Sequence, residues 1–218
     1  MKSIARIDEK EVFKSPIGMA YWPWILVPDV KYNKHGEYKI WMAFDGQHEL
    51  QFHRQIQDLY DTAVEQKRIE KAVTTIDKAD PPWTRSKDGK LLFFKFKLTA
   101  SGIADGGRRW DNPPPKIFDS RARLIEPDPT RFKPGTGSLV RVHFRAKPYF
   151  VKKAGVSLRL AGVQIFKYVE YDPATSLGVE PAEDGYVFEP EPESDIEKRL
   201  REPEPKLEAP NGATDIPF

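Results

Sequence analysis

Three stretches of the sequence set cations and aromatic rings at alternate positions. Lys39 and Trp41 lie in EYKIWMAF (37–44), and Phe93, Lys95 and Lys97 lie in LLFFKFKLTA (91–100). Arg141, Arg145, Lys147 and Tyr149 follow the same rule in SLVRVHFRAKPY (138–149). A period of two puts such residues on one face of an extended strand. Cations so spaced can follow a phosphate backbone. The rings between them offer flat surfaces to unpaired bases, each stacked base contributing about 1–3 kcal/mol with little sequence preference. Arg121, Arg123, Lys152 and Lys153 extend the cationic set. Trp41, Phe93 and Tyr149 are the expected stacking positions, with Trp83 and Trp110 in loops as further rings. Trp22 and Trp24 fit barrel packing better, although pattern alone does not set their register.

Other chemistries find no matching constellation. In HELQFH (48–53) the two histidines are five residues apart, so on a helix they diverge by about 140° and cannot share a metal as histidines four apart do. SGIADGGRR (101–109) lacks the Lys-Ser/Thr of a phosphate-binding loop and reads as a flexible loop carrying two cations. There is no cysteine, and no serine elbow is visible; the acidic residues before residue 172 are scattered rather than paired. These features point away from an enzyme, a metal site and a cofactor.

The elements that must position the cations and rings read mainly as strands, each with one apolar face. Tyr38, Ile40, Met42 and Phe44 form such a face, as do Leu92, Phe94, Phe96 and Leu98, and Val140, Val142, Phe144 and Ala146. Further strands are expected at 19–27, 116–125 and 156–169, the last with a bulge or bend at Gly162. One helix is expected at 48–72, with Phe52, Ile56, Leu59, Tyr60, Ala63 and Val64 as its apolar stripe. Five or six antiparallel strands, strong bends and a single capping helix predict a mainly β protein with an oligonucleotide-binding (OB) barrel. A flat sandwich is the alternative, and it leaves the helix without a place.

Charge divides the 218-residue chain in two. Residues 1–171 carry 31 Lys and Arg against 20 Asp and Glu, whereas residues 172–218 carry 4 against 13 and eight of the 20 prolines. The second segment has too few branched aliphatics to offset about 1–2 kcal/mol of backbone entropy per ordered residue. The expectation is one barrel domain over 1–171 and a disordered, acidic, proline-rich tail over 172–218. Without cysteine, a signal-peptide core or a long apolar run, the chain reads as cytoplasmic, with no membrane partner.

Across roughly residues 12–171 the sequence resembles the single-stranded-DNA-binding proteins of tailed bacteriophages. The likeness is carried by GEYKIWMAF, FKFKL, IFDSRARLI and above all GTGSLVRVHFRAKPYFVKKAGVSLRLAGVQI (135–165). The resemblance implies an OB barrel that coats unwound DNA, and a state of monomer or dimer. It also implies an acidic tail with an aromatic tip. Asp215, Ile216, Pro217 and Phe218 are similar to the tip of bacterial single-stranded-DNA-binding proteins, which recruits replication and repair enzymes. Unlike the family's more uniformly acidic tails, this one includes Lys198, Arg199, Arg201 and Lys206. From the residues alone, two other readings stay open: RNA as the ligand, and a barrel that binds protein.

Overall fold

The computed structural model describes residues 6–173. The acidic tail and the expected partner-binding residues Asp215, Ile216, Pro217 and Phe218 lie outside them. In chain order the elements are β1 (Phe13–Lys14), β2 (Gly18–Asp29), β3 (Glu37–Ala43), α1 (Gly46–Glu70), β4 (Trp83–Arg85) and β5 (Leu92–Thr99). They continue with β6 (Ser101–Ile103), β7 (Arg109–Asp111), β8 (Lys116–Phe118), β9 (Leu124–Ile125), β10 (Leu139–Val151) and β11 (Lys153–Lys167).

Five of these strands close on themselves. β10 pairs with β2, β2 with β3, and β3 with β5, all antiparallel. β5 meets β11 in parallel, and the antiparallel β10–β11 pairing completes the ring. This is a closed OB-type barrel, antiparallel at four seams and parallel at one. Closure follows from the alternation seen in the sequence, because each strand needs somewhere to bury one face. Ile40, Met42, Phe94, Phe96, Val142 and Phe144 are essentially fully buried. Each such side chain contributes about 1.5–3 kcal/mol relative to exposure.

Helix α1 plugs one end. It inserts Phe52 among Phe44, Phe94 and Phe144, with ring centroids 5.0, 5.0 and 6.1 Å away, all three contacts edge-to-face. Ile56, Tyr60, Ala63 and Val64 continue the buried stripe, while Leu59 is half-buried. Glu49 in the first turn and Lys67 and Arg68 in the last complement the helix dipole. His48 sits beside Asp45, and His53 packs edge-on against Trp83 at 4.9 Å. Trp83 also meets Tyr60 at 5.8 Å and packs on the core, so it is a packing residue and not a ring offered to a ligand.

Two of the barrel's register shifts bear on the site. On β11 the partner of His143 is Gly162 and that of Phe144 is Leu160, so Ala161 is the extra residue, next to the bend expected at Gly162. On β2 the partner of Tyr21 is Trp41 and that of Trp24 is Lys39, which leaves one extra residue between them. The stretch 116–125, expected as one strand, is instead a hairpin. Asp119 accepts hydrogen bonds from the backbone amides of Arg121 and Arg123, a turn that splits β8 from β9.

Candidate nucleic-acid interface

The β2 bulge decides which tryptophans face outward. Ala20 and Ile25 are both buried although five residues apart, which strict alternation forbids. Trp22 takes the left-handed backbone (φ 45°) that absorbs the extra residue, and its amide donates to Thr136 Oγ1 at 3.2 Å. Pro23 follows, where no ladder donor is needed. Trp22 and Trp24 are consequently 55% and 44% exposed on the outer face, not packed inside.

Register pairs align one residue from each barrel strand across that face. Arg145 opposes Arg159, Arg159 opposes Lys97, Lys97 opposes Lys39, and Lys39 opposes Trp24. With strands about 4.8 Å apart, this is a cationic row roughly 20 Å long that ends on an indole. A second row runs from Lys95 to Trp41 to Tyr21. Lys95 Nζ stands 5.6 Å over the Trp41 ring, a cation–π contact.

Phe93 lies under the aromatic end of this surface. Its ring centroid is 4.9 Å from Tyr21, 5.8 Å from Trp22 and 6.4 Å from Trp41, and only 8% of the residue is exposed. It braces the outer rings rather than presenting its own. The lysines nearby are not free of partners either. Lys39 is ion-paired with Asp29, and Glu37 is shared by Lys95 at 3.4 Å and Lys97 at 3.6 Å. The Lys39 ammonium, and then the Lys31 amide, hold the Asp29 carboxyl below the usual carboxylate range.

Beyond Lys97 the surface deepens into a cleft of about 470 Å³ between β5, the β6–β7 hairpin and the β10–β11 pair. Lys97, Lys147, Arg159, Ser157, Trp110 and Asn112 line it. Trp110 packs over Gly102, where any Cβ would lie 2.3 Å from the indole, and keeps 37% of its surface exposed. Asn112 donates to the Thr99 carbonyl at 2.8 Å and accepts from Arg159 at 3.3 Å, which orients the guanidinium along the cleft wall. Among the described residues, no ion pair reaches Lys147 or Arg159.

Of the residues singled out in the sequence, Lys39, Trp41, Phe93, Lys95, Lys97 and Lys147 share this surface, and Arg145 closes the row. Tyr149 does not offer a free ring: it is half-buried, with its hydroxyl 2.9 Å from where a Gly155 Cβ would be, under the chain at Ala79. Burial, with the charge of Asp80, raises its phenol pKa. Arg141 stacks on Phe166 at 5.5 Å and pairs in register with Gln164, four residues or roughly 13 Å along β10 from the level of Arg145 and Arg159. Arg121 and Arg123 lie on the β8–β9 turn, where Asp119 holds Arg123 at 2.7 Å. Lys152, in a left-handed conformation, is the sole residue connecting β10 to β11, and Lys153 begins β11. These four cations are outside the row.

Four residues escaped the sequence reading. Arg159 obeys the same alternation in VSLRLAG and could have been found by it. Trp22 and Trp24 required the bulge, for which the Trp-Pro-Trp run was the only sign. Tyr32, 82% exposed with Lys31 Nζ 5.3 Å over its ring, sits in the β2–β3 loop and has no periodic signal.

No protein-family model and no curated protein sequence matches the chain significantly. Solved structures do. The crystal structure of gp2.5, a single-stranded DNA binding protein encoded by bacteriophage T7, aligns with a TM-score of 0.62 at 23% identity, covering 82% of this chain and 99% of that one. The single-stranded DNA-binding protein from bacteriophage Enc34 in complex with ssDNA aligns with a TM-score of 0.51 at 13% identity, covering 73% and 88%. The fold of this chain is therefore the OB-type barrel of phage single-stranded-DNA-binding proteins.

Proposed function

We propose that this protein binds single-stranded DNA without covalent chemistry, coating and protecting unwound strands during phage replication or recombination. The observation that carries the reading is the row Arg145–Arg159–Lys97–Lys39–Trp24. It takes one residue from each barrel strand and lies beside exposed indoles, on the strand face that OB barrels use for oligonucleotides. Cations there would neutralise phosphates, and Trp22, Trp24, Trp41 and Trp110 would stack on bases. Tyr32 and the hairpin end at Lys152 and Lys153 lie on the two loops that flank that face in OB barrels. Replication and recombination enzymes are the proposed partners of the acidic tail. There Phe218 offers a ring to a pocket, and Asp215 offers a carboxylate to basic residues around it. Such work belongs in the host-cell cytoplasm, and among the described residues no helix is long and apolar enough to cross a membrane.

Fluorescence titration with a dT oligonucleotide and a duplex of equal length tests the reading. Binding should favour the single strand, and log affinity should fall with log salt by about 0.7 for each phosphate neutralised. Equal affinity for the two ligands would remove the proposal. An RNA oligonucleotide in the same series separates the ribose preference, which turns on whether a 2′-hydroxyl is tolerated at the face.

A further inference from the structure

The cationic face contains a contradiction that nucleic-acid binding alone does not require. Three of its lysines, Lys39, Lys95 and Lys97, are held by two carboxylates on the same surface. The Glu37 and Asp29 side chains are only 16% and 10% exposed, so neither can swing out into water when a phosphate arrives. A surface built for phosphate affinity alone would leave the lysines bare.

We infer that Glu37, supported by Asp29, is a specificity-determining residue that excludes ligands offering phosphates without accessible bases. This rests on the function proposed above. Non-specific binding to duplex DNA is almost entirely electrostatic, driven by release of condensed counterions. Where lysines already have internal partners, an incoming phosphate must share them with a carboxylate that stays in place and repels it. A duplex gains little from such a face. An unpaired strand held by stacking on Trp22, Trp24 and Trp41 can turn its flexible backbone away from the carboxylates and set its phosphates against Lys147 and Arg159, so it loses less than a rigid duplex does. The discrimination therefore comes from a repulsion that a stacked, flexible single strand can avoid and a duplex held by its phosphates alone cannot.

The full chain and E37Q should be titrated with a dT oligonucleotide, a duplex of equal length and heparin, over a salt series. E37Q should bind duplex and heparin about fivefold more tightly at low salt, bind oligo-dT less than about twofold more tightly, and show a steeper salt slope for all three. The preference for single strands should thus fall severalfold. Unchanged binding, weaker binding, or equal tightening for oligo-dT and duplex would overturn the inference. Should E37Q fail to fold, E37D withdraws the carboxylate from both ammonium groups and should shift the ratio in the same direction by a smaller factor; no shift there also overturns it. A wild-type protein without preference for oligo-dT defeats the proposed function itself, whereas a preference that E37Q leaves intact defeats only the role of Glu37.

Discussion

At the β2 side of the barrel face, Tyr21, Trp22 and Trp41 crowd around Phe93, and the neighbouring lysines are in ion pairs. At the β11 side a single exposed indole, Trp110, stands over a cleft whose cations Lys147 and Arg159 have no ion pair among the described residues, the carboxylate in its wall, Asp111, being held by Arg109 at 3.2 Å. The contact chemistry is thus graded, from rings with masked charge to open charge with one ring. The gradient teaches that affinity and salt dependence need not reside in the same residues: the first end should hold bases, the second phosphates.

The largest effect expected is on Phe93. If it supports the outer rings from beneath, Phe93→Ala should cost about 3–5 kcal/mol of stability in a denaturant titration. Undiminished stability with impaired binding alone would make Phe93 a contact residue and break the comparison. Next come the exposed indoles. Trp22→Ala and Trp24→Ala should each lose about 1–3 kcal/mol of binding free energy to oligo-dT, with the salt slope unchanged. A flattened slope in either variant would mean that the two ends are not chemically distinct.

Arg159→Gln should do the opposite. It should weaken binding mainly at low salt and reduce the slope by about 0.7, with the deficit closing as salt rises. The smallest effect concerns pH. Because the native Asp29 carboxyl titrates lower than in the unfolded chain, its contribution to stability is complete above the unfolded value of about 3.9. That contribution disappears as pH falls through the lowered native value. The gap in melting temperature between wild type and Asp29→Asn should therefore be constant near neutrality and shrink below about pH 4. A gap that persists in acid would assign the pair no role in the fold's pH response.

The barrel was legible because its strands obey one simple rule. Tyr38, Ile40 and Met42, Leu92, Phe94 and Phe96, and Val140, Val142 and Phe144 are all buried as period two required. The helix was expected two residues late at each end, and its stripe was found, since 3.6-residue periodicity survives small boundary errors. The site was legible only where alternation continued unbroken, at Lys39, Trp41, Lys95, Lys97, Arg145 and Lys147. It failed at Trp22 and Trp24, where an inserted residue inverts the phase. It failed again at Phe93 and Tyr149, since period two identifies the outer face but not what lies across it. The partnership of Glu37 with two lysines on a neighbouring strand depends on register, which no single strand encodes.

The barrel's narrowest join bears on mechanics as well as on recognition. Among the described residues a single register pair, Arg159 with Lys97, unites β5 and β11, whereas thirteen residues of β10 find partners on β11. A polymer lying along the cationic row would straddle that join like a splint. Amide exchange around Lys97 and Arg159 should be the first to slow when the ligand arrives, so the protein's loosest stave would be tightened by its own cargo.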